Sequence, residues 1–172
     1  NQVYLQEHVG MHKVDALMDW ATQKAGEDAI NNYHFHASKV VPSHDPQLDE
    51  VNITSYLMGM ERPAIVLNLV DSMKVRQEVA AGLWHVSNCI SMIETRIGGS
   101  YGFVYHVNTF DTDMIERWKD TLFDDETAVS ESACGSQVTI SPTVDMAAAV
   151  VASQVMSLLR GDGLVPFFQE FY

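Results

Sequence analysis

The chain has 172 residues, 47% of them hydrophobic, which is enough to build one domain around a real core. Lys and Arg number 10 against 23 Asp and Glu, a net charge of −13 that argues against nucleic acid as a partner, because phosphate backbones are met by basic surfaces. No apolar run approaches the ~20 residues of a membrane span and no signal-like segment opens the chain, so a membrane is not expected and a cytoplasmic location is.

In chain order, residues 10–25 read as an amphipathic helix, with Val14, Leu17, Met18 and Ala21 at helical spacing and Gly26 as its stop. Residues 33–41 alternate as a strand that Pro42 ends, and a turn leads into a short helix near 48–60. Ala64–Val70 is almost continuously apolar and reads as a strand buried on both faces, as in a parallel sheet. Asp71 follows it, and a helix runs over about 72–87. Cys89–Glu94 is a second buried strand, Gly98-Gly99-Ser100 a turn and Tyr101–Val107 a further strand. Residues 111–133 are acidic and weakly patterned, a loop or lid with a possible helix at 113–121. A long helix over 143–160 follows Pro142, Gly161 caps it, and the aromatic tail 164–172 closes as a strand. Strands alternating with helices predict a doubly wound, mostly parallel α/β sheet with an antiparallel hairpin extension, whose ligands bind beyond the carboxyl ends of the strands.

That rule places Asp71 at the mouth of the crevice, with Lys74 and Arg76 on the helix that follows. A carboxylate there can hold magnesium or a ribose hydroxyl, and it can equally cap the helix. Lys13, at the start of the first helix, opposes the helix dipole; an anionic ligand would explain it, and so would plain solvation. Cys134 sits on a polar segment where neighbouring charge could activate a thiol, whereas Cys89 reads as core filling. His34 and His36 share a strand face without a third ligand at metal spacing. Asp124-Asp125-Glu126 reads as a solvated loop. No glycine-rich phosphate loop stands in the 172 residues, and Gly98-Gly99 is a turn.

Taken together and in order, these segments resemble the ThiF/MoeB/ubiquitin-activating-enzyme superfamily. Asn1–Gln6 and Val9-Gly10-Met11-His12-Lys13 are similar to the family's Asn-Leu-x-Arg-Gln phrase and Gly-x-x-Lys helix start, although the Arg of that phrase has no counterpart. Asp71-Ser72-Met73-Lys74-Val75-Arg76 resembles its strand-terminal Asp followed five residues later by Arg. Ile93–Gly99 and Gly102–Tyr105 resemble its next strand, turn and hairpin. Ala133-Cys134-Gly135-Ser136, the eight-residue step to Pro142 and the helix ending Leu158-Leu159-Arg160-Gly161 resemble its cysteine segment and last helix.

The resemblance implies one ThiF-like adenylating domain over residues 1–172, with the family's glycine-rich nucleotide segment expected upstream of Asn1. It implies ATP-dependent adenylation of the C-terminal Gly-Gly of a small ubiquitin-like or sulfur-carrier protein. Lys13 would face the triphosphate, Asp71 would hold Mg2+ and nucleotide, Arg76 would support that site, and Cys134 would accept the activated acyl group. The three side chains Lys13, Asp71 and Cys134 would then converge on one pocket. A homodimer is expected, and zinc is not, because the paired Cys-x-x-Cys motifs are missing. Two other readings are a non-catalytic partner subunit that binds the same protein, and a nicotinamide-dependent oxidoreductase, which would need a glycine-rich turn after a first strand.

Overall fold

The computed structural model of the chain describes residues 6–27, 39–41, 50–84, 86–123, 141–162 and 165–172. A short 3-10 turn, Gln6–His8, precedes α1 (Lys13–Ala25). The two are tied by His8 Nε2, 2.9 Å from Asp19 Oδ2, and Gln23 one turn on donates to the same oxygen. Gly26 ends α1 at φ 83°, where a side chain would be strained. The strands β1 (Lys39–Val41) and β2 (Glu50–Asn52) pair in parallel, apart from the main sheet. Only the last residues of the expected strand 33–41 fall within the described part, and β2, three residues long, has no pattern that sequence could reveal. α2 (Ile53–Met58) follows directly.

The main sheet has four strands in the order β3 (Ala64–Asn68), β4 (Cys89–Gly98), β5 (Tyr101–Asn108) and β6 (Phe168–Phe171). β3 and β4 are parallel and linked by α3 (Met73–Leu83), a βαβ unit. β4–β5 is the expected antiparallel hairpin, and β6 returns antiparallel to β5. The sheet is therefore open and partly parallel. β3 lies at its edge among the described strands, and Leu67 is 44% exposed there, so the strand is not buried on both faces as its apolar run suggested.

Helices cover both faces. Leu57 of α2, Val79, Ala80 and Leu83 of α3, and Ile115 and Trp118 of α4 (Thr112–Lys119) pack on Met92, Tyr105 and Val107. On the opposite face Ala147 and Val151 of α5 (Ser141–Arg160) pack on Ile93, Val104 and Phe171. The period-two alternation of β4 feeds both layers: Ile93 points to α5, and Met92 and Glu94 to α3 and α4. Close packing also explains Gly102, since a Cβ there would stand 2.3 Å from the Phe171 ring. Pro142–Arg160 is long and apolar enough to cross a membrane by length and composition, contrary to the sequence expectation. One side of that helix is a layer of this domain.

The stretch taken for a loop or lid contains α4, a true helix at its start. Asp111 caps it by accepting from Met114 N at 3.0 Å, and Ile115 and Trp118, three residues apart, are buried.

Behind the sheet, on the α5 side, His106 Nε2 and Ser91 Oγ lie 2.6 Å apart and both residues are buried. Burial pushes the imidazole below its ordinary value of 6.5, with the Val165 carbonyl pulling partly back. The folded state thus prefers neutral His106, whereas the unfolded chain takes up its proton near the ordinary value. Stability from this group is full above about pH 6.5 and is lost as pH falls toward the lower folded value. Urea midpoints should fall between about pH 7 and 5, and His106→Gln should flatten that part of the curve. An unchanged slope in the variant would place the titration elsewhere.

Candidate functional site

The site is built where β3 ends and α3 begins. Asn68, the last residue of β3, is buried and donates to the Arg76 carbonyl at 3.2 Å. The chain then turns through Asp71, whose side chain is exposed, to Ser72. Ser72 is the N-cap of α3: its backbone is extended (φ −84°, ψ 130°) and its Oγ accepts from Val75 N at 3.3 Å. The capping role that Asp71 might have filled is thus taken by its neighbour. Among the described residues the Asp71 carboxylate appears in no hydrogen bond or ion pair.

Arg76 lies one turn into α3 and points back under that turn. Its Nη1 donates to the Asp71 carbonyl at 3.3 Å and its Nη2 to the Thr95 carbonyl on β4 at 2.9 Å. Its Nε stands 3.0 Å from Glu94 Oε1. The guanidinium that sequence offered as a nucleotide contact is therefore turned inward, where it bonds the backbone of the Asp71 turn to the neighbouring strand.

Glu94 is fully buried and is the hub of this arrangement. Arg96, two residues along the same strand and so on the same face, holds both its oxygens at 2.8 and 2.9 Å. Trp118 of α4 donates its indole N–H to Oε2 at 2.7 Å. Arg96 in turn donates to the Thr121 carbonyl and hydroxyl and lies 4.5 Å over the Tyr105 ring. One carboxylate thus joins β4, α3 and α4.

Lys13 is the first residue of α1 and exposed; His12 before it makes no side-chain cap. Among the described residues no ion pair joins Lys13 to Asp71, and α1 makes no substantial contact with the main sheet. Cys134, with its flanking segment, lies outside the described residues, as do His34 and His36. The structure thus brings Asp71 and Arg76 together and does not show the convergence expected of Lys13, Asp71 and Cys134. Cys89 is buried and its thiol is pushed up by burial, which makes it inert. Glu94, Arg96 and Trp118 escaped the sequence reading. The available signal was Glu94-Thr95-Arg96, two opposite charges at strand spacing inside an apolar context.

Asp71 is of the residue type that can hold a magnesium ion at this edge. Magnesium is usually held by one or two carboxylates together with substrate phosphates and water, and Asp71 offers a carboxylate without a structural duty. Elsewhere Glu7, His8 and Asp19 bring ligand atoms within 4.8 Å of one another, but the His8–Asp19–Gln23 bonds account for that grouping.

The model of the ThiF family matches residues 1–172. The chain belongs to that family. No curated protein and no solved structure matches it.

Proposed function

We propose that this ThiF family member adenylates the C-terminal glycine of a small ubiquitin-like or sulfur-carrier protein, with ATP and Mg2+. The observation that carries the reading is the exposed Asp71 carboxylate at the carboxyl end of a parallel strand, relieved of capping by Ser72 and anchored through its backbone by Arg76. Asp71 would hold Mg2+, which would supply charge neutralisation of the triphosphate, and the ammonium of Lys13 would serve the phosphates. In the reaction an oxygen of the glycine carboxylate bonds to the α-phosphorus while the bond to the bridging oxygen breaks, and pyrophosphate leaves. No proton has to move. The chain's task is positioning and charge neutralisation.

Cys134 then accepts the acyl group: its thiolate attacks the acyl carbon, a thioester forms and AMP departs. Cys134→Ser should leave the fold intact and abolish the thioester adduct, read by intact-protein mass spectrometry. An adduct on Cys89 would mark the wrong thiol. Two copies pair through the exposed side of α5, where Met146, Met156 and Leu159 lie open. Gel filtration at the mass of a monomer would remove that part.

The deciding experiment is exchange of labelled pyrophosphate into ATP in the presence of a ubiquitin-like protein ending in Gly-Gly. Exchange that requires both the protein and an intact Gly-Gly end is the expected result. Binding of the ubiquitin-like protein without exchange would make the chain a non-catalytic subunit.

A further inference from the structure

We infer that Glu94 is a positioning residue of the nucleotide site, acting through Arg76 on the backbone of the Asp71 turn. The inference rests on the adenylation reading for its functional half and on geometry alone for its structural half. Glu94 has no exposure and touches no solvent-facing group, so it cannot meet a substrate itself. What it does meet is Arg76 Nε at 3.0 Å, and the two terminal nitrogens of that guanidinium reach the Asp71 and Thr95 carbonyls. The chain of contacts therefore runs from a buried carboxylate, through a planar cation, to the turn that presents the exposed Asp71 carboxylate.

A guanidinium suits this role because its donors lie in one plane at fixed angles, so orienting Nε also orients both terminal nitrogens. The other partners of Glu94 hold it from the far side. Arg96 grips both oxygens and Trp118 takes Oε2, which leaves Oε1 shared between Arg96 and Arg76. The carboxylate cannot rotate without losing the Trp118 bond on α4 and the Arg76 ion pair on α3. A buried ion group is seldom the most stabilising way to fill such a space, since apolar residues of similar volume do as well. Orientation of Arg76 is what an apolar filling could not supply.

Two variants separate this role from bulk stability. Glu94→Gln keeps the shape and removes the charge; Arg76→Gln cuts the link to the turn and leaves the Arg96–Glu94 pair in place. Both are first shown to unfold cooperatively. Amide hydrogen exchange over residues 69–72 should then rise roughly tenfold in each, with β5 and β6 unchanged, and the double variant should add nothing further at the turn. In pyrophosphate exchange, KM for MgATP should rise roughly tenfold with a smaller change in kcat, and Glu94→Asp should recover part of the loss. Unaltered exchange at residues 69–72 in folded Glu94→Gln or Arg76→Gln overturns the inference, as does an additive double variant. A wild-type chain without pyrophosphate exchange defeats the adenylation reading, and with it the functional half, while the amide data still decide whether Glu94 holds the turn.

Discussion

Glu94→Ala is expected to lower the unfolding free energy by about 3–5 kcal/mol, the usual cost of removing one partner from a buried ion group. Three donors lose their acceptor at once, Arg96 Nε, Arg96 Nη2 and the Trp118 indole, and Arg76 loses the carboxylate of its ion pair. Two largely buried guanidiniums would lose the one carboxylate they share. The missing side chain also leaves a cavity beneath α3 and α4. A domain of this size holds about 5–15 kcal/mol in total, so the loss is a substantial share of that margin. Urea unfolding checks it: the midpoint should drop sharply while the slope, which follows the surface exposed, stays near the wild-type value. Glu94→Gln should cost less, because an amide oxygen can still accept from Arg96. A loss under about 1 kcal/mol for Glu94→Ala would mean that the two arginines find other acceptors or water, and that the cluster is looser than its distances.

The same cluster shows what could be read from sequence and what could not. The order of strands and helices was legible because it depends on local periodicity: the apolar run at 64–68, the alternation of 101–108 and the helical stripe of 141–160 each carry their own period. β4 was cut short at Glu94 for the same reason. Glu94, Thr95 and Arg96 look like the end of a buried strand, and only the three-dimensional pairing of two charges across one face, closed by a tryptophan 24 residues on, lets the strand continue to Gly98. The helix 112–119 was legible only as a possible helix at 113–121 within an acidic stretch, because its apolar content is Met114, Ile115 and Trp118 alone. Asp71 was found by position, but its sequence neighbours could not say whether it capped the helix. That depended on which residue took the extended backbone before α3, and Ser72 did. Lys13 was read as facing the triphosphate and Arg76 as supporting that site; in the structure Lys13 is exposed and Arg76 turns inward to bind carbonyl groups.

Asp71→Asn should leave stability within about 0.5 kcal/mol of wild type and reduce pyrophosphate exchange on the order of 10²–10³-fold. The first half follows from what the side chain does not do. It caps nothing, since Ser72 Oγ holds Val75 N, and it is exposed; the bond that fixes the turn uses the Asp71 carbonyl, which the substitution preserves. The second half follows from charge. An amide of the same shape can still accept a hydrogen bond but supplies no negative charge to a divalent ion, so loss of the metal-bridged triphosphate should appear in both kcat/KM and the magnesium concentration needed for half-maximal exchange. Stability and activity thus separate in opposite ways at the two carboxylates of this edge: Glu94 carries the fold and reaches the turn through Arg76, whereas Asp71 carries charge and little else. If Asp71→Asn instead unfolded the domain, the carboxylate would have a structural duty and the spare-charge argument would fail. If it folded normally and exchanged pyrophosphate at the wild-type rate and magnesium requirement, the nucleotide would have to bind elsewhere on the sheet.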